Sequence, residues 1–332
     1  MKNSETLLLT RNDVAALLRP EECISAVEAA FRLHAEGKAS PPGILGMHSE
    51  GGGFHIKAGI LALGRKYFVA KINSNFPLNL KHHNLPTIQG AIVVCDGENG
   101  QLLAVMDSIE ITILRTGAAT AVAANYLARR NASVAAICGC GNQGRISLKM
   151  LMKVRNLRAA YVFDIDQVKA QAFAKDLAIE LHIPIAVVED PAKALRMCHI
   201  CVTCTPSKQP FIRMQDITPG TFLAAVGADS EEKQELESDV LCSAKVVVDL
   251  LEQGATIGEL HHALKSGCMT RSGVHAELGE IVCGRKPGRL TDDEIIIFDS
   301  TGMALQDVAA ASIVYEKAIR DQIGVKMNFA SA

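Results

Sequence analysis

The 332-residue chain is 48% hydrophobic, and its 34 Lys and Arg against 36 Asp and Glu leave a formal charge of only -2. Two domains with sizeable cores fit that length, while near-neutrality removes any broad field for nucleic acid or anionic lipid, so an anion must be met by a local site. With no Trp and only 4% aromatics, the core is Ala, Val, Ile and Leu, the filling of helices packed closely on a sheet, which favours α/β over sandwich folds.

Met1-Lys2-Asn3-Ser4-Glu5 leads into three leucines, too short for a signal-peptide core, and no run approaches the roughly 18 apolar residues of a membrane span. A cytoplasmic protein without a membrane partner is expected. Thr10 and Asp13 are plausible caps, and Val14, Leu17 and Leu18, then Ile24, Val27, Ala30 and Phe31 after Pro20, space as two amphipathic helices within residues 10–37. From Gly43 to about Val105 the texture changes to short apolar runs split by Gly, Pro and Asn: strands, among them Phe54-His55-Ile56, Tyr67 to Ile72 and Ile88 to Cys95. Ile109 to Arg130 is Ala-rich and reads as a connecting helix whose small side chains allow close approach.

From Ser133 strands and helices alternate, the pattern of a parallel sheet: strands at Val134–Cys138, Ala159–Phe163, Ala186–Val188, Ile200–Thr203, Phe222–Val226, Lys245–Asp249 and Ile295–Phe298. A last helix from about Met303 to Asp321 is expected to pack back on the N-terminal half. The ten cysteines, scattered through apolar runs, read as buried thiols. Cys198, Cys201 and Cys204 repeat every third residue as in some iron–sulfur proteins, but Lys208 stands where a fourth ligand belongs. His82-His83 and His261-His262 fall in polar stretches read as loops, without carboxylate partners, so no metal site is expected.

The strongest local signal is Gly139-Cys140-Gly141-Asn142-Gln143-Gly144, a G-x-G-x-x-G directly after a strand and opening a helix. Gly139 can make the tight turn, Gly141 lets a pyrophosphate reach backbone N–H groups around Asn142 and Gln143, and Gly144 permits helix–strand contact. Asp164, at the end of the next strand and about 20 positions after Gly144, stands where a carboxylate usually binds the adenosine ribose hydroxyls. NAD is therefore the expected cofactor; Lys169 or Arg145 could relieve repulsion of a 2′-phosphate, which keeps NADP possible.

Together with Leu114-Arg115-Thr116, Val226-Gly227-Ala228-Asp229, Glu277-Leu278-Gly279-Glu280 and Asp299-Ser300-Thr301-Gly302-Met303, this loop makes the chain resemble the ornithine cyclodeaminase/mu-crystallin family, which includes amino acid dehydrogenases and ketimine reductases. The resemblance runs over nearly the whole chain. It implies a Rossmann domain at 119–302 and an α+β substrate-binding and dimerisation domain at 1–118 and 303–332, completed by the C-terminal helix. The active site would lie between them, in a homodimer. Arg115 would grip a substrate carboxylate with its planar fork. Lys71 would hold the same carboxylate and polarise an imine, and Asp229, at a strand's C-terminal tip, would be the general acid/base. Thr116, Val226 and Gly227 would line the cofactor, and Thr87 and Gln89 would touch substrate.

Each residue also has a bland reading: Arg115 as a surface ion pair, Lys71 as a solvated strand-edge lysine, Asp229 as the N-cap of a helix starting near Glu231, and Thr87 as a turn former. The chain departs from the cyclodeaminase pattern at Gly43, where those enzymes carry arginine after the proline, and at His55, where they carry an acid. Glu231-Glu232 replaces a Pro-Gly. Lys57, on the His55 face of its strand by period-two alternation, would supply a replacement positive charge; otherwise it is a buried-stem lysine with its tip in solvent. The expected reaction is hydride transfer at the Cα–N bond of a small amino acid, a keto acid plus amine, or a cyclic imine. The alternatives are an ammonia-releasing cyclodeaminase with recycled NAD and a non-catalytic, mu-crystallin-like nicotinamide-binding protein.

Overall fold

The computed structural model describes residues 5–328, which divide into two compact units, up to Arg115 together with the chain from Met303, and Thr116–Gly302. Arg115 and Thr116 are neighbours in one helix, Ile109–Leu127.

In the first unit, strands β1 (Glu5–Leu9), β2 (Gly43–Ser49), β3 (Gly52–Leu63), β4 (Arg65–Asn75), β5 (Ile88–Asp96) and β6 (Leu102–Asp107) join the C-terminal strand Val325–Asn328 in a seven-stranded sheet. Its order is Val325–Asn328, β1, β6, β5, β4, β3, β2, and only β1 and β6 run parallel. The three leucines weighed as a signal core are β1, an alternation with Leu7 and Leu9 buried. Thr10 and Asp13 close a reciprocal capping box on helix Arg11–Leu17, and Pro20 opens helix Pro20–Ala35. Helix Ala304–Asp321 lies so close to β3 that a methyl at Gly59 would meet Leu305 at 2.9 Å. The face of β3 bearing Gly59 is thus the covered one, and it also carries Lys57 and Leu61.

The second unit holds eight parallel strands: β7 (Val134–Cys138), β8 (Ala159–Phe163), β9 (Ile185–Val187), β10 (Ile200–Thr203), β11 (Phe222–Ala225), β12 (Lys245–Val248), β13 (Ala276–Glu277) and β14 (Ile296–Asp299). Their order, β13-β12-β14-β11-β10-β7-β8-β9, is that of a Rossmann sheet, with the winding direction reversing between β7 and β10. All four residues of β10, β11 and β14 are buried, the continuous apolar texture of strands covered on both faces.

Three expectations change. Neither histidine pair lies in a loop: His82 and His83 end a short helix, Asn79–His83, and His261 and His262 belong to a helix, Glu259–Lys265, which Gly258 starts. No helix starts near Glu231, where the chain turns without regular structure. Cys242 and Cys268 form a disulfide, because the Ser238–Ser243 helix and the turn after Glu259–Lys265 bring their Cα atoms to 6.0 Å, within bridging range. The other eight cysteines are thiols, and five of them, Cys23, Cys138, Cys140, Cys198 and Cys201, are buried. No described helix is long and apolar enough to cross a membrane.

Candidate active site

Alternation places Tyr67, Val69 and Lys71 on the buried face of β4, and the antiparallel register sets Lys71 directly opposite Lys57 of β3. Lysine at two adjoining core positions is costly unless a carboxylate compensates. Asp307, in the first turn of helix Ala304–Asp321, is that carboxylate: its Oδ1 accepts from Lys71 Nζ at 2.9 Å and from Arg115 Nε at 3.1 Å. Arg115 also donates from Nη1 to Gln306 Oε1 at 3.0 Å. Lys71, Arg115 and Asp307 are 3%, 7% and 1% exposed, which removes the solvated-lysine and surface-pair readings, and Lys57 is 8% exposed, which removes the solvent-tipped one.

Asp307 Oδ2 and Gln306 Nε2 are buried with no hydrogen-bond partner among the described residues. Burial pushes the Lys71 ammonium down to about 7; Asp307 opposes this, and Arg115 and Lys57 reinforce it. Burial also works against the charged form of Asp307, but Lys71 and Arg115 outweigh it and hold that carboxyl below its ordinary range. Lys71 and Arg115, with Lys57 adjoining, thus bring more buried positive charge to this cluster than Asp307 alone neutralises. Gln306 and Asp307 escaped sequence reasoning; their signal was a polar pair inside Ala304-Leu305-Gln306-Asp307-Val308-Ala309, otherwise a core-facing run.

In the second unit Gly139 adopts φ 110°, and a methyl there would meet Cys204 O at 2.9 Å, so conformation and space both require glycine at the reversal point of the sheet. A Cβ at Gly144 would lie 2.2 Å from Gly139 O, whereas Gly141 faces open space. Gly141 caps helix Asn142–Val154 without a side-chain bond, and Gln143 Oε1 is buried with no partner among the described residues. This is an open, uncapped helix N-terminus suited to a pyrophosphate. Asp164 follows β8 and accepts from the N–H groups of Cys140 at 2.8 Å and Asp166 at 3.0 Å, with Lys169 Nζ at 3.0 Å. Burial raises its pKa, but those three donors outweigh the effect and keep it below the usual carboxylate range. The loop, the reversal point and a charged Asp164 fit a dinucleotide; Lys169 beside Asp164 is the group that would face a 2′-phosphate.

Asp229 lies in the turn after β11, its Oδ1 2.5 Å from Lys233 Nζ, and its side chain is 54% exposed. Val226 N–H donates to Thr203 O at 2.9 Å, Thr116 is buried in its helix, and Thr87 O accepts from Phe76 N–H at 2.9 Å in the turn before β5. Among the described residues no group of three or more His, Cys, Asp or Glu side chains could hold a metal.

The ornithine cyclodeaminase/mu-crystallin family profile matches residues 4–322. The chain belongs to that family. It is 39% identical over 328 residues to the alanine dehydrogenase of Archaeoglobus fulgidus, covering 98% of this chain and 99% of that one. Among solved structures, an archaeal alanine dehydrogenase dimer with bound NAD superposes with a TM-score of 0.94 at 40% identity, covering 98% of this chain and 99% of that one. The Δ1-pyrroline-2-carboxylate reductase of Thermococcus litoralis, in complex with NADH and L-proline, superposes with a TM-score of 0.92 at 33% identity, covering 97% and 100%.

Proposed function

We infer that this family member is an NAD(P)-dependent oxidoreductase that moves hydride to or from the Cα of a small amino acid or its imine, with alanine, or pyruvate plus ammonium, as first substrates. The observation that carries the reading is the buried grouping of Lys71, Arg115 and Asp307 on one face of the first unit. Two buried cations on one carboxylate, with Lys57 beside them, leave positive charge that a substrate carboxylate would offset. Similarity to the Archaeoglobus alanine dehydrogenase supports the same substrate class.

Bound nicotinamide would supply the hydride donor or acceptor. Gly139, Gly141, Asn142, Gln143 and Gly144 would hold its pyrophosphate, Asp164 the adenosine ribose, and Thr116, Val226 and Gly227 the remainder. Arg115 and Lys71, with Lys57 adding field, hold the substrate carboxylate. Thr87 contributes a polar contact. Asp229 exchanges a proton at the substrate nitrogen or at a hydrolytic water, and Lys71, titrating near neutrality, is a second group able to do so. Likeness to the Thermococcus reductase with L-proline favours a cyclic imine as the second substrate class.

The working form is a homodimer. Ile44, Leu45 and Met47 are exposed along β2, an edge strand, and Phe54 and Ile72 are exposed on the neighbouring strands, a surface suited to a second copy. Nicotinamide absorbance with purified protein tests the function. Net cofactor reduction by alanine, or oxidation by pyruvate and ammonium, is expected; proline-dependent reduction would favour the cyclic imine. Ornithine converted to proline without net cofactor change would move the assignment to a cyclodeaminase, against Gly43 and His55. Tight NADH binding with every substrate inert would sink the enzymatic reading.

A further inference from the structure

Four carboxylates of the second unit, Glu235, Asp249, Glu259 and Asp299, are at most 1% exposed. Most of the hydrogen bonds they accept come from backbone N–H groups. Glu235 Oε1 accepts from Thr205 N–H at 2.6 Å and its Oε2 from Gly227 N–H at 3.1 Å, joining the turns that follow β10 and β11. A methyl at Gly227 would lie 2.3 Å from Glu235 Oε2 and 2.5 Å from Thr205 O, so the carboxylate fills the space that a side chain would take.

Glu235 is itself fixed. Glu259 Oε1 accepts from Glu235 N–H at 2.7 Å and its Oε2 from Leu236 N–H at 3.2 Å, and Asp299 Oδ2 accepts from the next residue of that helix, Leu260 N–H, at 2.8 Å. The chain of supports runs from β14 through the Glu259–Lys265 helix to the turn that ends in Asp229.

We propose that Glu235 is a positioning residue for Asp229, bracing the turns after β10 and β11 so that the Gly227–Asp229 backbone keeps one conformation during turnover. This rests on the proton-handling role assigned to Asp229 above. Burial pushes the Glu235 carboxyl up to about 7, with the bonds from Thr205 and Gly227 acting in the opposite sense. Only an acceptor on both oxygens braces both turns, and the amide of Glu235→Gln offers one.

The test compares Glu235→Gln with Asp229→Asn, each as folded protein saturated with NADH, in pyruvate reductive amination. Glu235→Gln is expected to lower kcat at least about tenfold, since small misplacements of reacting groups cost up to about 100-fold. KM for pyruvate and the dissociation constant of NADH should stay near wild type, and amide hydrogen exchange at Thr205 and Gly227 should quicken. Full kcat in Glu235→Gln with a disabled Asp229→Asn overturns the brace and leaves the function standing. Full kcat in both removes Asp229 from the mechanism, and the positioning role with it. If Glu235→Gln does not accumulate folded, Glu235→Asp, which withdraws the carboxylate by one methylene, must lower kcat in the same assay, and an unchanged kcat there overturns the proposal.

Discussion

The two units bury charge in opposite ways. Around Lys71 in the first unit, cations converge on one carboxylate, Asp307, whose second oxygen lacks a partner among the described residues. In the second unit, Glu235, Asp249 and Glu259 spend their carboxylate oxygens largely on backbone N–H groups of their own unit. A buried charge solvated by backbone dipoles serves to hold loops, and in the second unit Asp299 is the exception, its Oδ1 having no partner among the described residues; surplus buried positive charge, as around Asp307, is what suits an incoming anion. The cationic cluster should therefore govern substrate affinity, and the anionic one loop geometry and stability.

The largest effect that could break this contrast is at Arg115. Arg115→Ala removes a fork expected to make two charge-assisted bonds to the substrate carboxylate, worth about 3–6 kcal/mol together. Alanine-dependent kcat/KM should fall about 10²–10⁴-fold with NADH binding unchanged, and Arg115→Lys, which keeps the charge but not the fork, should fall between. A loss under about tenfold in Arg115→Ala would mean that the guanidinium serves only Asp307 and Gln306.

The glycine loop was legible because its requirements are local: a positive φ and space beside a neighbouring turn exclude side chains within a few residues of one strand end. Lys71 was visible as a lone charge closing an apolar run, and Arg115 through its motif. Asp307 was not, because its pairing with them depends on a helix 192 positions beyond Arg115 folding onto the same sheet, and no periodicity encodes which sheet a helix covers. The buried carboxylates were hidden for a related reason: Glu235 resembles its solvent-facing neighbours Glu231 and Glu232 in sequence, and only the closing of two distant turns around it separates them. The helix expected near Glu231 fails on the same ground, since Gln234 N–H, Glu235 O and Glu237 N–H are taken by Ser207, by Phe211 and Ile212, and by Ile212 respectively.

A smaller effect concerns Lys71. Burial sets its ammonium near 7, so the charged form dominates below that pH and drains away above it. A bound carboxylate favours the charged form, and binding should therefore weaken as pH rises past 7, by up to about tenfold per unit because one proton is coupled. The inhibition constant of propionate, an unreactive carboxylate, against alanine would show the slope. Lys71→Gln should flatten it; a slope that survives in this variant would place the titrating group elsewhere.

The smallest effect separates charge from packing in the anionic cluster. Burial first, then Asp249 and Glu235, pushes the Asp299 carboxyl up to about 7 from its ordinary 3.8. Between those values the folded chain keeps a proton that the unfolded chain has lost, so this group's contribution to stability declines as pH rises through the window, and the whole cost is present above about 7. Asp299→Asn keeps an acceptor for Leu260 N–H and places an NH2 where Oδ1 has no partner among the described residues. It should melt a few degrees higher than wild type at pH 8, with the gap closing toward pH 4.5, where wild-type Asp299 is itself neutral. An equal shift at both pH values would trace the change to packing around Gly258, whose added Cβ would stand 2.5 Å from Asp299 Oδ2, and would deny the carboxylate any charge cost to relieve.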